Sequence, residues 1–211
     1  MKFKKLVLLG SIVLGLTPLC NAQLILGSSH DFSNSTTRNL TGELCIVCHA
    51  PHGTDATQVP LWNHATTQQI FSTYTGYKFQ GIATITQPDG ASKLCLSCHD
   101  GITAMNQFGG KMQGSTGTPA LMNGFRVLGT NLTNDHPISF KYDANLASLD
   151  GRLKDPTIAL SGLGGTIADD LLDIQGKVQC PTCHEVHDPT IYKFGKMSNA
   201  GSALCLTCHN K

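Results

Sequence analysis

Cys180-Pro181-Thr182-Cys183-His184, followed closely by Cys205-Leu206-Thr207-Cys208-His209, is the stretch on which the reading of this chain turns. Two thiols three positions apart can add to the two vinyl groups along one edge of a porphyrin. The next residue then lies beneath the iron, where an imidazole nitrogen can ligate it. The same spacing recurs upstream at Cys45-Ile46-Val47-Cys48-His49 and Cys95-Leu96-Ser97-Cys98-His99. Four copies predict four covalently attached haem c groups. Cys45, Cys48, Cys95, Cys98, Cys180, Cys183, Cys205 and Cys208 are the expected attachment residues, and His49, His99, His184 and His209 the expected proximal iron ligands. Structural zinc is the rival, since two C-x-x-C pairs can make a four-thiolate site. It leaves the histidine after every pair unexplained. With 9 histidines in 211 residues, four such coincidences have a chance of roughly a few in a million. A thioredoxin-like dithiol needs one pair, not four.

Five histidines lie outside the motifs: His30, His52, His64, His136 and His187. An internal repeat sorts them. The first half reads His30, motif one, His52, motif two; the second reads His136, motif three, His187, motif four. Each half thus carries two motifs and two loose histidines in the same order, and His64 is left over. His30, His52, His136 and His187 are therefore the expected distal ligands, enough to close four irons. His52 and His187 each follow a proximal histidine by three residues. Three extended residues span only about 10 Å, too short to pass round a porphyrin, so each is expected to reach the iron of a different haem. Met105, Met112, Met122 and Met197 are the competing axial ligands. All-histidine ligation implies lower potentials than methionine gives.

The remaining composition limits what else the chain can be. Lys2, Lys4 and Lys5 precede the uncharged run Leu6–Leu16, and small residues near Ala22 suit cleavage, so residues 1–22 read as a secretory signal peptide. Acylation of Cys20 is the competing reading, with Thr17, Pro18 and Leu19 as poor neighbours for it. Eleven apolar residues fall short of the roughly 20 that span a bilayer, and no later stretch is a better candidate, so no transmembrane segment is expected. Cleavage removes Cys20 and leaves eight cysteines, all in the motifs. It also takes the charge from 15 minus 14 to 12 minus 14, or −2. A slightly acidic chain without a basic run excludes nucleic acid as a partner.

The 189 residues that remain serve four haems, about 47 each, so the macrocycles must supply much of the buried surface. The expected fold is mostly irregular, with few short α-helices and minor β-structure, wrapped around four covalent haems. The expected division is residues 23–108 as a first haem-pair module, 109–130 as a glycine-rich connector and 131–211 as a second module. Thr66–Tyr77 has a helical pattern of Ile70, Tyr74 and Tyr77. Ile138, Phe140 and Tyr142 alternate as in a short strand. Short helical turns are expected to carry the motifs, and Trp62, Phe71 and Phe140 to pack on haem.

His30-Asp31-Phe32-Ser33, the CHAPHG of Cys48–Gly53, the PLWNH of Pro60–His64, the KLCLSCHDG of Lys93–Gly101 and the NDHPISF of Asn134–Phe140 carry a family likeness. Together they resemble multihaem cytochromes c with the doubled C-x-x-C-H motif. Within these, they are most similar to tetrahaem cytochromes that polymerise into extracellular "nanowire" filaments in metal-reducing bacteria. The resemblance covers nearly the whole mature chain. It implies bis-histidine haems in a continuous chain, with His30, His52, His136 and His187 as distal ligands. It also implies electron transfer toward acceptors in the periplasm or outside the cell. One departure is Val186, in Cys183-His184-Glu185-Val186-His187, where the first module has Pro51; the histidine is kept.

An exported electron-transfer protein, not an enzyme, is the leading expectation, with other redox proteins as partners and a homopolymer as a candidate assembly. His30 lies on a Ser/Asn/Thr-rich stretch near one end and motif four near the other. That arrangement suggests His30 of one subunit ligating a terminal haem of the next. A multihaem reductase of a small nitrogen compound is the alternative, and it requires one iron with an open position.

Overall fold

The computed structural model describes residues 24–35, 38, 41–54, 61–76, 78–81, 85–112 and 117–210; the expected signal peptide lies outside them. The chain is mostly irregular, with few short helices and minor sheet, as expected. In chain order the elements are α1 (Gly90–His99), β1 (Gln107–Phe108), β2 (Lys111–Met112), β3 (Phe140–Lys141), α2 (Ala144–Asp150), α3 (Ile167–Leu171), β4 (Lys177–Val178), α4 (Cys180–Cys183) and α5 (Ala203–Cys208). β1 pairs with β2 and β3 with β4, both antiparallel. The first pair is a tight hairpin, Phe108 opposite Lys111. Gly109 and Gly110 take φ of 62° and 74° at its turn, where two successive positive φ values favour glycine.

Local chemistry sets the element ends. Asp143 accepts from the Leu146 amide at 2.9 Å to start α2, and Gly151 ends it in the left-handed region at φ 67°. Thr166 and Asp169 form a reciprocal capping box at the start of α3.

Among the described residues, the apolar core is divided into three small clusters, and each meets an attachment motif. Phe140, Tyr142, Leu146, Ala147, Ile167, Leu171 and Val178 form the largest, with Cys208 packed against it. Phe32, Val47 and Phe108 form the second, with Ile46 and Cys48 on its edge. Phe71, Leu96 and Leu132 form the third, under α1. Phe71 and Phe140 thus belong to protein clusters.

The expected helix over Thr66–Tyr77 does not form; Tyr77 itself lies outside the described residues. The segment is extended, and Ser72 bridges Asn131 in parallel. The amide of Gln87 replaces helical partners at Phe71, accepting from its N–H at 2.7 Å and donating to its carbonyl at 3.1 Å. The Thr67 hydroxyl is drawn to buried Asp100 at 2.7 Å. Tertiary hydrogen bonds outweigh the 3.6-residue pattern here, and Ile70, expected on the buried face, is 78 % exposed. The expected strand is present but short: Phe140 and Tyr142 are buried, while only Phe140 and Lys141 pair with β4.

Candidate haem centres

Each motif closes the same tight turn. The His49, His184 and His209 amides reach the carbonyl of their own first cysteine, Cys45, Cys180 and Cys205, at 2.8, 3.1 and 3.0 Å. The second motif occupies the last turn of α1, and the third and fourth form α4 and α5. One helical turn puts residues i and i+3 on one face, so both thiols of a motif can meet one edge of a flat ligand. No disulfide joins any of the eight motif cysteines. Among the described residues, no three His, Cys, Asp or Glu side chains gather as a metal cluster. The four-ligand protein shell of a zinc site is thus not assembled there, whereas a porphyrin supplies four nitrogens itself and asks the protein for two.

The imidazoles meet in opposed pairs. His30 faces His99 with ring centres 6.3 Å apart, His49 faces His187 at 6.1 Å, and His136 faces His209 at 6.3 Å. Two imidazoles sharing one metal at about 2 Å per bond, each ring centre about 1.1 Å further out, face each other at roughly 6 Å. Every pair joins one motif histidine to one loose histidine. The pairing crosses the repeat: His187 of the second half faces His49 of the first. This pair therefore joins the two halves of the chain.

Backbone carbonyls fix the ring tautomers. Nδ1 lies 2.8 Å from the Arg126 carbonyl in His99, 3.0 Å from that of Lys193 in His184, and 2.9 Å from that of Pro137 in His136. A carbonyl only accepts, so Nδ1 carries the proton and the Nε2 lone pair is left for a metal. His187 turns its Nδ1 to the Glu185 carboxylate at 3.2 Å.

Two buried side-chain nitrogens among the described residues lack any hydrogen-bond partner: Nδ1 of His30 and Nε1 of Trp62. His30 faces a motif histidine, and Trp62 stands edge-on to His49 at 6.2 Å. Buried polar atoms without partners are uncommon, and both occur where the motifs predict haem. The residues present fit that group. Burial, then repulsion from His99, His187 and His184, pushes the His30 imidazole down to about 4, so it is neutral at physiological pH, as a ligand must be.

His30 lies against Phe194, with ring centres 4.7 Å apart, and opposite His99. His52 and His184 are both exposed, and no ring contact joins either to another histidine among the described residues. His64 is 4 % exposed and embedded in protein, its Nδ1 donating to the Ala65 carbonyl at 2.7 Å. The Cys98 sulfur lies 3.6 Å from its Nε2. Met105 is buried, and the Met197 sulfur receives the Thr207 hydroxyl at 3.6 Å.

The thiols of different motifs are neighbours. Cys95 donates a hydrogen bond to Cys180, which, with one from Ser92, draws the Cys180 thiol down to about 7. Cys95 itself moves up, through that same bond and burial. Burial raises the Cys48 thiol to about 11, and also raises Cys98, which feels the charge of Cys48. A polar cluster around Gln179, Asp89 and Ser92 supports the Cys95–Cys180 contact. Nothing in the sequence singled these residues out, because a lone glutamine or serine has no motif.

Residues 174–211, which hold the third and fourth motifs, match the family model described as the doubled CXXCH motif. The match supports a multihaem cytochrome c with covalently bound haem c. No curated protein matches the chain. Haem c is attached outside the cytoplasm, and among the described residues no helix is long and apolar enough to cross a membrane.

Proposed function

We propose that this chain is an exported tetrahaem cytochrome c that carries electrons through bis-histidine haems toward acceptors in the periplasm or outside the cell. The observation that carries the reading is the set of three opposed imidazole pairs, each made of one motif histidine and one loose histidine. His49 with His187, His99 with His30, and His209 with His136 would each hold one iron. His52 is left for the iron of His184. Its place in the repeat supports this, because His52 is to motif one what His187 is to motif three. Bound haem supplies a one-electron iron couple inside an apolar macrocycle. The chain's own part is to fix the imidazole tautomers, keep His30 neutral, and hold neighbouring motifs in contact. His184 and His187, three residues apart, would hold the third and first irons, and that short link would keep those two haems close together.

The second reading, a reductase of a small nitrogen compound, draws on one observation: no imidazole faces His184 among the described residues. An iron with His184 alone would have room for substrate. Carbon monoxide binding to the fully reduced protein separates the two. Four closed irons bind little, and the electron-transfer reading fails if one equivalent of carbon monoxide binds tightly to wild-type protein.

A further inference from the structure

The amide of Gln179 uses its whole hydrogen-bonding capacity, and two of its four bonds cross the boundary between the two halves of the chain. Its oxygen accepts from the Ser92 amide at 3.3 Å and the Ser139 hydroxyl at 3.2 Å. Its nitrogen donates to the Asp89 carboxylate at 3.0 Å and the Asp173 carboxylate at 3.0 Å. Two acceptor sites and two N–H groups are all that a glutamine side chain has. The partners also fix which way round it sits, because carboxylates need the NH2 end and the Ser92 N–H needs the oxygen. The residue is 2 % exposed.

These bonds join two attachment elements. Ser92 lies on α1, which carries Cys95, Cys98 and His99, and Asp89 precedes that helix. Gln179 immediately precedes α4, which carries Cys180, Cys183 and His184. Ser92 returns a second bond, its hydroxyl accepting from the Cys180 amide at 3.0 Å. Lys177 forms an ion pair with Asp89. Asp89 starts α1 without capping it; its carboxylate is spent on Gln179 and Lys177. Gly90 completes the fit. A Cβ there would come within 3.0 Å of the Gln179 amide nitrogen, and its φ of +47° is one that side chains disfavour. The outcome is the direct packing of α1 against α4.

We propose that Gln179 is a positioning residue that fixes the second attachment helix against the third attachment turn and so sets the electronic coupling of the haems they carry. This rests on the reading of haem at those motifs. Coupling between redox groups falls steeply with separation, and a polar brace centred on the buried Gln179, Ser92 and Ser139 side chains is rigid where a small apolar contact would slide. A glutamine does this where a glutamate cannot, since a carboxylate there would face Asp89 and Asp173 without N–H groups to offer them.

The test is Gln179→Leu in the haem-loaded protein, with Lys177→Met as a milder variant that removes one arm of the cluster. Haem number is counted by intact mass, ligation by the low-spin spectrum, and coupling by the Soret circular dichroism couplet together with the resolved midpoint potentials. Expected for Gln179→Leu are four low-spin haems with a couplet reduced by half or more, and a smaller change of the same sign for Lys177→Met. A lower melting temperature with couplet and potentials unchanged in a loaded variant overturns the proposal, because the brace is then structural only. Should Gln179→Leu not load, Lys177→Met decides: no change in its couplet overturns the proposal. Wild-type protein with fewer than two covalent haems sinks the haem reading instead, and that result is seen before any variant is made.

Discussion

The imidazoles of His49 and His187 lie 6.1 Å apart and within 24° of parallel, although one belongs to the first motif and the other follows the third. A haem attached at Cys45 and Cys48 would then depend on the other half of the chain for its distal ligand. His187→Ala should open that iron and leave the remaining three closed. The ferric protein should gain a high-spin signal worth one haem, with all haems still attached by mass. Four low-spin haems in this variant would remove His187 from the ligand set.

His64 is the counter-example. It is buried and bonded to the Ala65 carbonyl, and its role in the structure is packing beneath Cys98. His64→Ala should leave every haem low-spin. Its cost should appear in stability, about 1–3 kcal/mol for a buried donor bond lost with its partner left unpaired. Denaturant unfolding measures the cost, and electron paramagnetic resonance checks the spin state.

How much of this was legible beforehand follows from what kind of interaction each feature depends on. The attachment motifs could be read because their chemistry is local: two thiols and an imidazole within five residues. The repeat sets four loose histidines apart from His64, and three of them, His30, His136 and His187, lie opposite a motif histidine in the fold; which one faces which could not be read. The order of the repeat does not say which histidine faces which, and the His49–His187 contact crosses between halves through tertiary packing. The Thr66–Tyr77 pattern misled for a related reason. Its periodicity was real, but Gln87 and Ser97, distant in sequence, take up the backbone groups of Phe71 and Thr67 that a helix needs. Gln179 was invisible because a polar residue announces a role only once its partners are placed.

The largest cluster should limit stability independently of ligation. Ile167 is fully buried at 0 % exposure among Phe140, Leu146, Leu171 and Val178. Ile167→Ala should destabilise by about 2–5 kcal/mol through lost transfer energy and the cavity left behind. Since α3 carries no ligand, the haem spectrum of the folded variant should match wild type; a change in spin state would mean the cluster also positions an iron.

Asp89 gives the structure a pH dependence. Burial raises its carboxyl, but hydrogen bonds from Lys177, Gln179 and Ser139 and the Lys177 charge outweigh that, and the net shift is downward. A group with a depressed folded value contributes stability that is fully present above its unfolded value, about 4. That contribution is lost as pH falls through the folded value. The half-exposed setting keeps it to about 1 kcal/mol or less. Wild type should therefore exceed Asp89→Asn in unfolding free energy at pH 7, and the gap should shrink as pH drops below about 4. A gap that is constant over that range would show that the carboxylate charge is not what is being measured.

His52 carries the last prediction, because it bears on assembly as well as ligation. It is exposed, and so is His184, whose Nδ1 is already fixed by the Lys193 carbonyl. The repeat makes the two partners: if His187 reaches the iron of His49, the equivalent reach of His52 is to the iron of His184. In one chain that contact would close the set and leave a monomer with four six-coordinate irons. Between chains, the same bond would join subunit to subunit, and such a heterologous contact extends into a filament unless its rotation closes. His52→Ala should open one iron in either case, but only the second arrangement links that opening to size. The expected result is a high-spin signal worth one haem together with a fall from large to monomeric sedimentation, reversed toward low-spin by added free imidazole without restoring size. Wild-type protein that sediments as a monomer with four low-spin haems would place His52 on its own chain's third haem and end the filament reading. A His52 variant that keeps four low-spin haems would instead take His52 out of the ligand set altogether.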